Sequence, residues 1–358
     1  MESKLAFDFS TQQAVLRKIA AIDAFQSRWQ VEQEAEKAFL KEMQRQTLLE
    51  STGSSTRIEG STLTNNEVES VLKHKKITQL TSRDEQEVVG YYEVLTLILD
   101  SFKDISLSEN YIGQLHGLLL RHSAKDQRHR GAYKALSNQV VAGQVGGKKS
   151  VVFNTTLPHL TPAAMQDLVN WANKAFEADT LHPLLIIAVF IYEFLSIHPF
   201  QDGNGRLSRL LTTLLLLKNN YDFVLYASFE HLIEERKKEY YRVLIDGQQK
   251  RGQTDKEEII EQWVLFFLDS LVTLTQRLME KRKAYFATKD YLNDRQKQVL
   301  ATLRQNSPAQ LGDIHQILSH IPRATLKLDI SILVEKRLLT QVGKGRGVRY
   351  FAFTDTEI

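Results

Sequence analysis

The stretch His198-Pro199-Phe200-Gln201-Asp202-Gly203-Asn204-Gly205-Arg206-Leu207-Ser208-Arg209 gathers a base, a carboxylate, a glycine-bracketed turn and two arginines in one short segment. Histidine takes up and releases a proton near neutral pH. Aspartate offers a hard oxygen ligand for Mg²⁺. Glycines let phosphate oxygens approach the backbone. Arginines three apart share a helix face, and each guanidinium can grip phosphate through paired, charge-assisted hydrogen bonds. Positioning, charge neutralisation and a base are the parts that phosphoryl or nucleotidyl transfer needs.

These groups need elements to hold them. The apolar run Leu184–Ile191 reads as a buried helix that ends at His198-Pro199, because proline disfavours helical backbone in the residue before it. Asp202-Gly203-Asn204-Gly205 forces a turn, and a new helix beginning near Arg206 carries Leu207, Leu210, Leu211, Leu214 and Leu215. The turn therefore opens a helix, where free N–H groups and the helix dipole attract an anion. Other glycine-rich stretches fit nucleotide motifs poorly. Residues 143–150 miss the P-loop spacing, since Ala142 stands where a glycine is needed. Residues 203–208 lack the last glycine of a dinucleotide fingerprint and follow a helix rather than a strand. His116, His122 and His129 are irregularly spaced and read as packing or surface histidines.

The pattern His-Pro-Phe-x-Asp-Gly-Asn-Gly-Arg-x-x-Arg resembles the signature of Fic-domain proteins, and residues 198–209 match it at every fixed position. Most members of that family are protein adenylyltransferases. The resemblance implies that His198 deprotonates a Ser, Thr or Tyr hydroxyl of a target protein, which attacks the α-phosphorus of ATP. It implies that Asp202 holds Mg²⁺, that Gly203, Asn204 and Gly205 form an anion hole, and that Arg206 and Arg209 hold the β- and γ-phosphates. Phe200 would anchor the loop in the core. The hairpin residues Val151, Val152, Phe153 and Asn154 resemble the family's flap, which pins a target by strand addition; an ordinary surface hairpin is the other reading. Tyr240 and Tyr241 resemble the tyrosine pair lining the adenine pocket, with core packing the alternative for one of them. Ser55-x-x-x-Glu59-Gly60 resembles the family's inhibitory motif, in which Glu59 would pair with Arg209 and block productive γ-phosphate binding.

Further along the chain, residues 11–50 read as helix and Ser51–Ser61, by composition, as a polar loop. Thr64-Asn65-Asn66-Glu67 opens a helix with a capping-box pattern. Helical periodicity covers Glu87–Phe102, Ser108–His122, Pro162–Ala178, Pro183–Ser196, Gly205–Asn219, Phe229–Ile245 and Lys256–Tyr285. Gln139-Val140-Val141 and Val151-Val152-Phe153 flank the glycine-rich turn Gly143–Gly147, a short hairpin. From Asn293 the pattern resets: helices over Asn293–Gln305, Gln310–Leu318 and Pro322 to about Lys336, then strands Leu338–Val342 and Val348–Phe353 around a glycine-rich tip. That outline is a winged helix-turn-helix.

The expected fold is mainly α: a Fic-type helical bundle with a small β-hairpin flap, plus a C-terminal winged helix-turn-helix of α+β character. The expected domains are a helical region with the inhibitory motif over 1–105, a Fic catalytic domain over 106–285 and the winged helix over 291–358. Net charge is +3, but residues 291–358 hold ten Lys/Arg against six Asp/Glu. Arg323, Lys327, Lys344, Arg346 and Arg349 on the third helix and wing suit DNA; a protein-interaction or self-regulatory module of the same fold is the alternative. No cysteine is present, which excludes disulfides and thiolate zinc and fits a reducing compartment. The N-terminus lacks a signal-peptide pattern, and the longest apolar runs fall short of a membrane span. We expect a cytoplasmic enzyme using ATP and Mg²⁺, with a protein substrate (itself included), DNA as an alternative partner, and a homodimer as an open arrangement. Three further readings of the same site are a nucleotide-sensing DNA-binding regulator, transfer of phosphate or another nucleotide, and AMP removal with Glu59 positioning water.

Overall fold

The computed structural model describes residues 1–32, 37–74, 80–145, 148–248, 260–290, 292, 294–343 and 345–352. The chain divides into two units, Met1–Leu278 and Met279–Ile358. Among the described residues the elements are fourteen α-helices and two antiparallel hairpins.

In the first unit, α1 (Phe9–Glu32) and α2 (Lys37–Ile58) precede α3 (Asn65–His74), α4 (Arg83–Ser101) and α5 (Glu109–Leu119). A hairpin follows, β1 (Gln139–Val145) with β2 (Lys148–Asn154). Then come α6 (Thr161–Ala178), α7 (Pro183–Ile197), α8 (Asn204–Lys218), α9 (Phe229–Glu235), α10 (Lys237–Gln248) and α11 (Glu261–Asp290), of which residues 261–278 belong to this unit. Helix α7 is apolar all round and buried along almost its whole length, as expected of a helix at the centre of a core. It packs between α6 and α8. Helix α8 is also buried nearly throughout, against α4 and α7. The loop 198–203 thus joins the two most enclosed helices of the unit.

Of residues 11–50, 11–32 lie in α1 and 37–50 in α2, as helix. Three other sequence expectations are corrected. Ser51–Ile58 is not a loop but the last two turns of α2. Its small residues are buried against α9 and α4. The hydroxyls avoid stranding by bonding back, as from Thr52 to the Leu48 carbonyl at 2.8 Å, or across to neighbours. Composition signalled solvent where tertiary packing placed a tight helix contact. Phe229–Ile245 breaks at Arg236 into α9 and α10. There the guanidinium bonds Glu239 at 3.0 Å and Ser270 at 3.1 Å and lies over the Phe266 ring. Gly143–Val145 continues β1 rather than turning, with register shifts after Val140 and Ala142. Gly146, Gly147, Lys256, Asn293, Lys344 and Phe353 lie outside the described residues.

In the second unit, α12 (Asp294–Gln305), α13 (Leu311–Ile317) and α14 (Arg323–Glu335) precede the hairpin of β3 (Leu339–Val342) and β4 (Arg349–Ala352). Val299, Leu303, Ile314, Leu326, Ile330 and Leu333 form its core. Ala309 bridges to Tyr350, which adds a third backbone segment to the hairpin. Arg295 forks onto buried Asp329, with bonds of 2.5 and 3.1 Å tying α12 to α14. Arg323, Lys327 and Arg349 are exposed.

Candidate active site

Helix α7 ends with His198 in the left-handed region, φ 53°, ψ 61°. Its N–H still bonds the Phe194 carbonyl at 2.9 Å, and Pro199 prevents any continuation. That reversal turns the imidazole out of the helix path. The ring Nδ1 lies 3.2 Å from the Leu195 carbonyl. A carbonyl can only accept, so Nδ1 carries the proton and Nε2 keeps its lone pair. Burial, reinforced by the nearby Lys134 charge, lowers the His198 pKa to about 4. The ring is therefore a neutral proton acceptor at physiological pH.

The turn closes on itself. Asn204 accepts from the Phe200 N–H at 2.9 Å and donates to the Phe200 carbonyl at 2.7 Å. Gly203 caps α8 at φ 80°, a conformation that L side chains rarely adopt. Phe200 is fully buried, as anticipated, and stacks on His116 with ring centroids 3.8 Å apart. His116, set aside on sequence grounds, is structural to the loop. It accepts from the Gly131 N–H at 2.8 Å through Nδ1, so Nε2 donates to the Asp202 carbonyl at 3.0 Å. Burial lowers its pKa to about 4. No spacing rule links position 116 to position 202.

The two arginines have different surroundings. Arg206 is 1% exposed and boxed by carboxylates, 3.2 Å from Glu87 of α4 and 3.0 Å from Asp202. Arg209 is also buried and faces α2. It donates to the Ser55 hydroxyl at 2.8 Å, the Ser55 carbonyl at 2.9 Å and Glu59 Oε1 at 2.8 Å. Burial raises the Glu59 pKa, but the charges of Arg209 and Arg206 outweigh that and hold the carboxyl below its usual value. The Glu59 carboxylate lies over Gly205 so closely that a methyl group there would collide with Oε1. The protein's own anion thus sits at the start of α8, where first-turn amides have no intrahelical partner.

A cavity of about 1270 Å³ opens beside Glu59 and Gly60. Tyr241 lines it. Tyr240 is buried instead, packed on Trp263 and Phe266, with its hydroxyl toward Ser208 and Arg209. Val151, Val152, Phe153 and Asn154 lie in β2, which approaches α10. Asp202 Oδ1 accepts from the Gly203 N–H at 2.6 Å as well as from Arg206, while Oδ2 lies within 3.6–3.9 Å of Arg83 and Lys125. Among the described residues no cluster of three His, Cys, Asp or Glu could hold a metal by itself. A single carboxylate still suits Mg²⁺ that keeps waters and phosphate oxygens as its other ligands.

Helix α2 is held on α9 by three rungs. Ser51 donates to Ser228 at 2.8 Å, Ser54 meets His231 Nδ1 at 3.3 Å, and Arg57 forks onto Glu234 at 2.6 and 2.9 Å. Each rung advances three residues on both helices, so they run parallel. Arg57 fills its remaining donors with Leu63 O, Asn65 Oδ1 and Ser54 Oγ, so all five N–H groups are engaged. Nothing in the sequence marked Arg57, although it stands two residues before Glu59.

Residues 106–216 match the Fic/DOC family model, and the chain carries a Fic domain. It is 28% identical over 236 residues to a protein adenylyltransferase Fic of Drosophila willistoni, covering 64% of this chain and 42% of that protein. It is 31% identical over 198 residues to the Drosophila melanogaster protein of the same name, covering 53% and 35%. The chain therefore spans less than half the length of these curated relatives. A crystal structure of a Fic family protein from Desulfovibrio desulfuricans G20 superposes over 96% of both chains at TM-score 0.63 and 24% identity, a likeness of fold. A Fic domain containing signaling protein from Bacteroides thetaiotaomicron superposes at TM-score 0.61 and 25% identity, covering 74% of this chain and 97% of that one. No helix among the described residues is long and apolar enough to cross a membrane.

The two neutral histidines set a pH dependence of stability. Above pH 6.5 neither folded nor unfolded chain protonates them. Between 6.5 and about 4 only the unfolded chain takes up protons there, so stability falls on acidification. Scanning calorimetry should show Tm dropping from pH 7 to pH 5, with a shallower slope in His116→Gln. An unchanged slope would count against a neutral His116.

Proposed function

We propose that this chain is a protein adenylyltransferase that moves AMP from ATP to a Ser, Thr or Tyr hydroxyl, and that Glu59 restrains it. The observation that carries this reading is the seat at the start of α8: Arg209 beside a helix N-terminus, and a carboxylate lying over Gly205 where a phosphate would lie. The relatives' name supplies the reaction class.

In this reading the triphosphate enters from the cavity beside Tyr241 and its terminal phosphate takes the place of Glu59. The amides of Gly203–Gly205 meet phosphate oxygens, that of Gly203 leaving Asp202 Oδ1 to do so. Nε2 of His198 removes the proton from the target hydroxyl. The hydroxyl oxygen bonds the α-phosphorus, the bond to the β-phosphate oxygen breaks, and pyrophosphate departs. Asp202 would hold Mg²⁺, which neutralises phosphate charge. Arg206, enclosed by Glu87 and Asp202, serves first to place the Asp202 carboxylate. The β-hairpin offers an edge for a target segment. We read the C-terminal unit as a winged helix; Arg323, Lys327 and Arg349 give it a basic exposed face suited to nucleic acid.

Intact-mass spectrometry with ATP and Mg²⁺ tests the reaction. We expect little transfer by the wild type, adducts of one AMP on Glu59→Gly or an added target, and none after His198→Ala. Equal transfer by wild type and Glu59→Gly would remove the inhibitory role, and adducts of phosphate alone would remove the reaction class.

The rungs between α2 and α9 generate a separate prediction. Arg57→Glu, or Glu234→Arg, should loosen the helix that carries Glu59 and raise transfer toward the Glu59→Gly level. The double exchange should restore restraint. Initial rates with labelled ATP would check this, and absence of rescue would argue that the pair does not govern Glu59.

A further inference from the structure

Four successive carbonyls at the end of α7 and into the loop are claimed by one short segment that the reaction does not use. Lys134 Nζ donates to the Ile197 carbonyl at 2.9 Å. Asn138 Nδ2 reaches the His198 carbonyl at 3.4 Å. The Lys134 N–H donates to the Pro199 carbonyl at 2.9 Å. Asn138 Nδ2 also donates to the Phe200 carbonyl at 2.8 Å. Lys134 is 3% exposed, and its other two donors go to Asn138 Oδ1 at 2.9 Å and Thr155 Oγ1 at 2.8 Å. Thr155 in turn donates to the Asn138 carbonyl at 2.9 Å.

Two features make this arrangement more than packing. Asn138 and Thr155 are the residues immediately outside β1 and β2, so the bond between them closes the base of the hairpin. And His198 holds a backbone conformation that costs a non-glycine residue energy, which persists only where the surroundings over-determine it. Helix α7 leaves its last carbonyls without intrahelical donors. A buried ammonium satisfied by uncharged oxygens is a costly way to meet that need. Burial lowers the Lys134 pKa to about 8.

We propose that Lys134 and Asn138 are positioning residues that lock the left-handed backbone at His198 and fix the hairpin base to the same loop, so that base and target edge keep one geometry. This rests on the adenylyltransferase reading for its consequence in catalysis, but the locking itself is testable without turnover.

The experiment compares Lys134→Met, Lys134→Arg and Asn138→Ala, each in the Glu59→Gly background of the full chain. Hydrogen exchange of residues 138–155 and 197–204 should accelerate in Lys134→Met and Asn138→Ala while α6 and α11 stay protected. Affinity for a non-hydrolysable ATP analogue should stay within about twofold, since the α8 start is untouched. The kcat for AMP transfer should fall roughly tenfold or more, as misplacement of a reacting group does. Lys134→Arg, which can still donate to these oxygens, should recover part of the loss. Unchanged exchange in both segments overturns the proposal, as does a loss of ATP affinity equal to the loss in kcat. If Lys134→Met does not fold, Asn138→Ala alone decides by the same two readouts. Should the Glu59→Gly parent transfer no AMP, the functional reading fails, and the exchange and affinity measurements still decide the locking.

Discussion

A buried guanidinium must keep an anionic partner. Arg209 is 2% exposed, and stripping a buried charge of its partner costs about 3–5 kcal/mol. Much of the first unit follows from that demand. Helix α8 places Arg209 between one and two turns beyond the glycine-capped start, so that its guanidinium and the helix N-terminus face the same carboxylate of Glu59. Helix α2 brings Ser55 and Glu59 to it from a distant part of the chain. In the proposed function an incoming phosphate would meet a seat with a resident, and exchange of one negative group for another would leave the arginine paired at both ends of the exchange.

The loop itself was the most legible part of the chain. The helix break at His198-Pro199, the turn through Gly203 and the helix after it follow from backbone chemistry of proline and glycine, which acts locally. The apolar run of α7 likewise announced its own burial. The hairpins were visible as paired β-branched strands about glycines, although β1 ran on through residues assigned to its turn. What escaped notice depends on partners far away in sequence. Ser51–Ile58 has the composition of a loop, and only α9 and α4 make it a helix with buried hydroxyls. Arg236 divides α9 from α10 because Ser270 and Phe266 recruit its side chain.

Supporting residues were hidden for the same reason. His116, Glu87 and Lys134 carry no motif of their own. Each meets the loop through a backbone carbonyl or a buried charge, and such contacts leave no periodic trace. The tyrosine pair shows the limit in small compass. Adjacent residues on a helix point about 100° apart, so one of the two had to turn from the cavity; sequence could not say that Tyr241 would face it and Tyr240 the core.

The rungs joining α2 to α9 have a mechanical implication. The rungs differ in kind: a hydroxyl pair, a hydroxyl against an imidazole, and an arginine forked onto a carboxylate. A slide by one rung in either direction, roughly 4.5 Å of axial travel, takes Arg57 away from Glu234 and sets it beside His231 or Lys237. The α2–α9 contact therefore admits one register, which fixes the height at which the chain leaves α2 toward Glu59.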